Sequence, residues 1–208
     1  LVDVCVQHDL YVIADERYDK VVYDGLEFTS IASFGDDVKE RTLLINGVSK
    51  SYAMTGWRVG YCASNKQLAK IMSNYLSHST GAPSTISQWA AVEAISGPQD
   101  TVETMRLEFL KRRDYIVDRI NAIPGVSCVK PEGAFYVMMN IEKLVGKTLG
   151  GKLIENDDDF AVALLEKALV AVVPCSGFGM KNFVRWSYAA SMENIEKGLD
   201  RLEKFITE

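Results

Sequence analysis

The chain has 208 residues, 48% of them hydrophobic, and a formal net charge of −5. That composition excludes a disordered chain, and the length allows one or two domains with a substantial core. The negative balance argues against a polyanion partner, and apolar stretches such as residues 168–173 are far too short to span a membrane, so neither nucleic acid nor a membrane is an expected partner.

Residues 1–8 read as a helix that leads into the apolar run Tyr11-Val12-Ile13-Ala14. This run reads as a buried strand ending in Asp15, with Glu16, Arg17 and Tyr18 following. The carboxyl ends of strands are where α/β sheets bind ligands. A carboxylate there can keep a pyridine nitrogen protonated, and a phenol three residues on can bond a ring hydroxyl. The plainer alternative is an Asp that caps the next turn.

Residues 42–45 form a second short strand before Asn46-Gly47, and residues 57–63 a third. Between them runs Ser49-Lys50-Ser51-Tyr52-Ala53-Met54-Thr55-Gly56-Trp57-Arg58-Val59-Gly60-Tyr61, which puts Lys50 on a loop at strand ends. A lysine reaches an aldehyde only as the neutral amine, so it needs a poorly solvated or electropositive site. Arg58 supplies a second cation and a fork of donors suited to phosphate. A lone lysine is ordinarily a solvated surface residue; the glycines and apolar flanks set this one apart.

Helical spacing follows at residues 67–76 and 85–95, with His78 on a loop, and Gly97-Pro98 breaks the second helix. A long helix over residues 100–122 places Met105, Phe109, Ile116 and Ile120 on one stripe, and Lys111-Arg112-Arg113 reads as its wet face. Pro124-Gly125 ends it, and residues 126–130 and 133–140 read as strands. Asp157-Asp158-Asp159 reads as a solvated helix start matched to the helix dipole, not a metal site. In Phe183-Val184-Arg185-Trp186-Ser187-Tyr188 an arginine interrupts a strand; it can clamp a carboxylate or point to water from an edge. The last helix spans residues 191–206, with Ser191 as its cap. Cys5, Cys62, Cys128 and Cys175 are scattered and read as reduced core or turn residues, and His8 and His78 lie too far apart for a metal motif. The alternation of apolar segments and helices is the α/β signature.

Four of these elements, in order, resemble the class I and II aminotransferases, the fold type I enzymes dependent on pyridoxal phosphate (PLP). The family's Asp-Glu-x-Tyr corresponds to Asp15 to Tyr18, and its Ser-Lys-x-x-x-Met-Thr-Gly-Trp-Arg-x-Gly-Tyr to Ser49 through Tyr61. Its Pro-x-Gly-x-Phe-Tyr corresponds to Pro131-Glu132-Gly133-Ala134-Phe135-Tyr136, and Val184-Arg185 with Ser187 completes the set. One departure is Cys175 after Val173-Pro174, where relatives usually carry glycine.

The resemblance implies the C-terminal part of a longer enzyme. Its expected organisation is a partial large PLP-binding domain with a mixed sheet over residues 1–98, an interdomain helix over 99–123 and an α+β small domain over 124–208. By resemblance Lys50 is catalytic and holds PLP as an imine, Asp15 bonds the pyridine nitrogen, Tyr18 the phenolic oxygen, Ser49 and Arg58 the phosphate, and Arg185 the substrate carboxylate. The expected reaction is ping-pong transfer of an amino group between an L-amino acid and a 2-oxo acid, by a cytoplasmic homodimer, with this chain alone inactive. A PLP-dependent C–S lyase or decarboxylase of the same fold stays open, as does an aminotransferase-like effector domain of a transcription regulator. The Met54-Thr55-Gly56-Trp57-Arg58 wording favours transamination over both.

Overall fold

A computed structural model of the protein describes residues 1–207, in two units, Leu1–Thr104 and Met105–Glu208, whose boundary falls inside one long helix. The first unit runs α1 (Val2–Gln7), β1 (Val12–Asp15), α2 (Asp36–Glu40), β2 (Thr42–Gly47), β3 (Gly60–Ala63), α3 (Lys66–Ser79) and α4 (Thr85–Ser96). Its mixed sheet has the order β1-β2-β3. Because β1 and β2 are parallel, with Asp15 opposite Ile45, both strands deliver their carboxyl ends to the same rim. β3 is antiparallel to β2, with Gly60 opposite Gly47, so the 48–59 loop leaves and re-enters at that rim. Glycine at position 47 allows a close backbone approach: a Cβ there would meet the Val59 carbonyl oxygen at 3.0 Å and the Gly60 Cα at 3.1 Å, so the strands would have to shift slightly.

Three expectations for this unit are corrected. The β1 run is not buried: Tyr11 is 71% and Ile13 72% exposed, since β1 alternates and pairs along one edge alone among the described residues. The third strand starts at Gly60, not Trp57, because Thr55–Trp57 is a 3₁₀ turn closed by Arg58 at φ 56°, a left-handed conformation that no strand continues through. His78 lies in α3, which extends to Ser79, and is not a loop residue.

The second unit contains most of α5 (Asp100–Ala122), then β4 (Ser127–Cys128), β5 (Tyr136–Asn140), β6 (Thr148–Leu149), β7 (Lys152–Leu153), α6 (Asp157–Ala168), β8 (Val173–Pro174), β9 (Phe183–Ser187) and α7 (Met192–Thr207). An antiparallel sheet of order β4-β5-β9-β8 carries alternating buried residues, Val137 and Met139 on β5 and Val184 and Trp186 on β9. Phe160 and Leu164 of α6 and Leu199 and Leu202 of α7 are fully enclosed. Phe160 meets Phe205 edge to face at 6.1 Å, and Phe109 of α5 packs on Phe135 at 5.2 Å. Ser191 caps α7, its hydroxyl accepting from the Asn194 amide at 3.3 Å.

Here too the structure amends the sequence reading. β4 is shorter than residues 126–130, and β5 starts at Tyr136 because Ala134 sits at φ 58°. Arg113 is no part of a wet face: its side chain is fully buried, donating to the Pro131 carbonyl at 3.2 Å and to Asp114 Oδ1 at 2.8 and 3.0 Å. Successive helix positions turn by about 100°, so Lys111, Arg112 and Arg113 cannot share one face. Asp157 is likewise enclosed, at 2% exposure, while Asn156 is the true cap of α6, accepting from Asp159 at 2.9 Å. Cys5 and Cys175 are buried and Cys128 is half-buried, but Cys62 is exposed on β3; all four are unpaired thiols. Cys175 adopts φ −108° and ψ 0°, which needs no glycine. Among the described residues no His, Cys, Asp or Glu cluster suits a metal, and no helix is long and apolar enough to cross a membrane.

Candidate active site

The 48–59 loop is pinned by its own apolar residues. Val48 and Val59, at its two ends, are buried against Ala91 of α4, with Tyr52 and Met54 packed on them. That anchoring holds two left-handed non-glycine residues, Ala53 at φ 54° and Arg58 at φ 56°, each a conformation that costs about 1–3 kcal/mol. The Tyr52 hydroxyl donates to Gln99 Oε1 at 3.0 Å, and the Gln99 amide donates to the carbonyls of Ala94 and Gly97 at 3.0 and 2.8 Å, tying the loop to the end of α4. Sequence reading assigned no role to Gln99, and its position after Gly97-Pro98 is the one clue it offered.

Lys50 is half-buried on this loop, with Nζ 5.9 Å from the centroid of the Tyr18 ring, at the fringe of cation–π range. The next residue, Ser51, is buried and donates to Asp19 Oδ1 at 3.3 Å, fastening the Lys50 loop to the turn after β1. Asp15, at the end of β1, is half exposed and accepts from Arg17 through both oxygens, Nε to Oδ1 at 2.8 Å and Nη2 to Oδ2 at 2.7 Å. These side-chain bonds from Arg17 lower the carboxyl pKa against the smaller opposing effect of desolvation, so Asp15 is held ionised. A carboxylate oxygen has lone pairs beyond those Arg17 uses, and an ionised carboxylate is what a protonated pyridine nitrogen needs.

A cavity of about 470 Å³ opens over the sheet rim, with Ser49, Arg58, Arg17 and Tyr61 in its wall. It gathers two of the expected phosphate ligands and adds Arg17, which sequence reading had quoted without a role. Lys50, Asp15 and Tyr18 do not line it. Arg58 is braced through Nη1, which donates to the Thr55 carbonyl at 3.0 Å. Burial, and secondarily the charges of Asp19 and Tyr52, push the Tyr61 phenol pKa up, keeping it a neutral donor. A hydroxyl, two guanidinium groups, an ionised carboxylate and a half-buried amine at one sheet rim form a donor set that fits a phosphorylated pyridine aldehyde.

Arg185 belongs to the second unit. It lies on β9, an interior strand between β5 and β8, so the edge-strand reading fails. Its guanidinium carbon sits 4.5 Å from the Tyr136 ring centroid and 5.0 Å from that of Phe178.

Comparison with known proteins identifies the family and the fold. Residues 1–202 match the family described as aminotransferase class I and II. The chain is 44% identical over 203 residues to an aspartate aminotransferase of Bacillus sp. (strain YM-2) and 45% identical over 204 residues to that of Bacillus subtilis (strain 168), in each case over 98% of this chain and 51% of the relative. The crystal structure of an aspartate aminotransferase from Rhizobium meliloti superposes with a TM-score of 0.94 at 43% identity, covering 99% of this chain and 52% of that one. The chain thus spans about half the length of these relatives, and over that span its mixed sheet, long helix and small antiparallel sheet follow the aminotransferase fold. The chain belongs to the class I and II aminotransferases.

Proposed function

We propose that the protein containing this chain is a PLP-dependent aminotransferase that moves an amino group between an L-amino acid and a 2-oxo acid by a ping-pong mechanism, with aspartate, the amino acid in its relatives' names, as donor. The observation that carries this reading is the placement of two pairs at one rim of the first unit's sheet, Lys50 near the Tyr18 ring and Ser49 with Arg58 in the cavity wall. When bound there, PLP supplies an electron sink for the bonds to the substrate's Cα. Lys50 would hold the cofactor through its aldehyde carbon and, once the substrate's amine had displaced it, would be free to move the proton at Cα as general base and acid. Asp15, kept ionised by Arg17, orients the ring through its nitrogen, and Tyr18 bonds the ring oxygen. Ser49 and Arg58 take the phosphate, and Arg185 takes the substrate carboxylate. In this reading residues 1–98 belong to the PLP-binding domain, 99–123 to the interdomain helix and 124–208 to the small domain. The working form is a cytoplasmic homodimer, in keeping with four unpaired cysteines.

Borohydride reduction of the holoenzyme followed by peptide mapping tests the assignment. The label is expected on the peptide containing Lys50, and Lys50→Ala is expected to abolish transamination while some PLP is retained through Ser49 and Arg58. Label on a different lysine overturns it. A panel of amino acids, read by conversion to the pyridoxamine absorbance, tests aspartate as donor.

A further inference from the structure

We propose that Phe178 is a positioning residue for Arg185, holding its guanidinium for a substrate carboxylate, and that the turn carrying Phe178 is latched by the buried carboxylate of Asp157; this rests on the reading of Arg185 given above. Arginine is long and loses much rotamer freedom when it binds in one pose, so a clamp is tighter when the pose exists beforehand. Two aromatic rings restrict this one. Tyr136 faces Ser187 across the β5–β9 ladder, two places along from Arg185, so its ring reaches the arginine diagonally on the same sheet face. Its centroid is 4.5 Å from the guanidinium carbon.

The second ring comes from outside the sheet. Phe178 ends the 3₁₀ turn Ser176–Phe178 and approaches the same carbon to 5.0 Å, although 59% of the residue remains exposed. An aromatic this exposed adds little to a core, while its ring lies against the Arg185 guanidinium. Guanidinium donors lie in the guanidinium plane, and rings packed on it leave the in-plane edge for a carboxylate.

The turn is closed by its own backbone, with the Phe178 amide donating to the Cys175 carbonyl at 2.9 Å, and it is tied to α6 by Asp157, 2% exposed at the start of that helix. Its two oxygens accept from the backbone amides of Ser176, at 2.7 Å, and Asn182, at 3.4 Å, which bracket the segment holding Phe178. A charged acceptor serving two amides is a strong local tie.

The test compares Phe178→Leu, Phe178→Tyr and Arg185→Lys in the holoenzyme, by KM and kcat for the amino acid and the 2-oxo acid, and by the rate at which phenylglyoxal labels the Arg185 peptide. Because Phe178 is largely exposed, none of its variants threatens folding. Phe178→Leu is expected to raise both KM values about three- to tenfold with kcat within about twofold, and to speed labelling of Arg185. Phe178→Tyr is expected to restore both readings. Asp157→Asn, which keeps the shape and removes the charge, is expected to raise KM in the same direction by less. If Arg185→Lys raises KM while Phe178→Leu changes neither KM nor labelling, the role of Phe178 is refuted and the carboxylate clamp stands. If Arg185→Lys leaves both KM values unaltered, the clamp itself is refuted and the substrate role of Phe178 falls with it.

Discussion

The two units divide the tasks unequally. Most of the buried hydrophobic residues belong to the second, where Ile116, Ile120, Met139, Phe160, Leu164 and Leu199 are fully enclosed. The first carries Lys50, Asp15, Ser49 and Arg58, yet exposes Ile13 at 72%, Tyr75 at 72%, Ile86 at 75% and Trp89 at 70%. Three of these candidate site residues, Ser49, Lys50 and Arg58, rest on a loop pinned by one small cluster, Val48, Val59 and Ala91, whereas the second unit's sheet is packed through alternate residues of every long strand. On the proposed reading, stability and chemistry are therefore largely separable: substitutions that unfold the protein are expected to concentrate in the second unit, and, Arg185 apart, substitutions that silence it in the first.

The sharpest way to break that contrast is a pair of aromatic truncations. Phe160→Ala removes a fully buried ring that packs edge to face on Phe205, and is expected to cost about 3–5 kcal/mol in chemical denaturation. Trp89→Ser, at a larger but exposed residue of α4, is expected to change stability by no more than about 0.5 kcal/mol. Comparable losses from the two would mean that the first unit has a core of its own around α4. Arg113→Ala comes next: it opens a cavity and strands the Pro131 carbonyl, at an expected cost of about 2–3 kcal/mol. Arg113→Lys is expected to recover little of it, since a point charge does not replace the fork shared by Pro131 and Asp114.

Arg113 also marks where sequence reading runs out. Helix α5, read at about Asp100 to Ala122, was legible in the sequence because Gly97-Pro98 and Pro124-Gly125 bracket a long stretch with helical spacing. Burial of its third consecutive cation was not, since nothing local says which of three successive directions meets the 130–134 segment. Asp157 is the same case: an acidic triplet matches a helix start, but only the fold brings Ser176 and Asn182 to the first carboxylate. The residues of the candidate site could be picked out as motifs, because Lys50 and Arg58 sit at fixed offsets between two strands. What was missing there was Arg17, whose pairing with Asp15 depends on how the chain turns after β1.

Asp157 gives the third prediction. Desolvation raises its pKa, but the amides of Ser176, of its own backbone and of Asn182 outweigh that and lower it. A carboxyl whose folded pKa is depressed stabilises above its unfolded value and loses that contribution as pH falls through the folded one. Asp157→Asn is therefore expected to cost about 1–2 kcal/mol near neutral pH, with the wild type and the variant converging as pH drops below about 4. A difference that persists undiminished in acid would assign the effect to packing and remove the charge from the argument.

A small effect on stability is also expected at a residue to which the proposed reaction gives one of the largest roles. Asp15 and Arg17 form a bidentate pair, but their side chains are 51% and 43% exposed, so water and salt screen the attraction. The Asp15 pKa is lowered chiefly by the Arg17 bond, so the pair's contribution is present above about pH 4 and fades as the carboxyl protonates. Asp15→Asn is accordingly expected to cost less than about 1 kcal/mol, less still at high salt, measured by the shift of the denaturation midpoint. In the holoenzyme the same change is expected to cut turnover far more than PLP retention, because an amide does not sustain the protonated ring nitrogen on which carbanion stabilisation depends. Equal losses of turnover and PLP retention, or a stability loss above about 2 kcal/mol, would make Asp15 a binding or folding residue, and the separation between the two units would fail at the position where it is drawn most sharply.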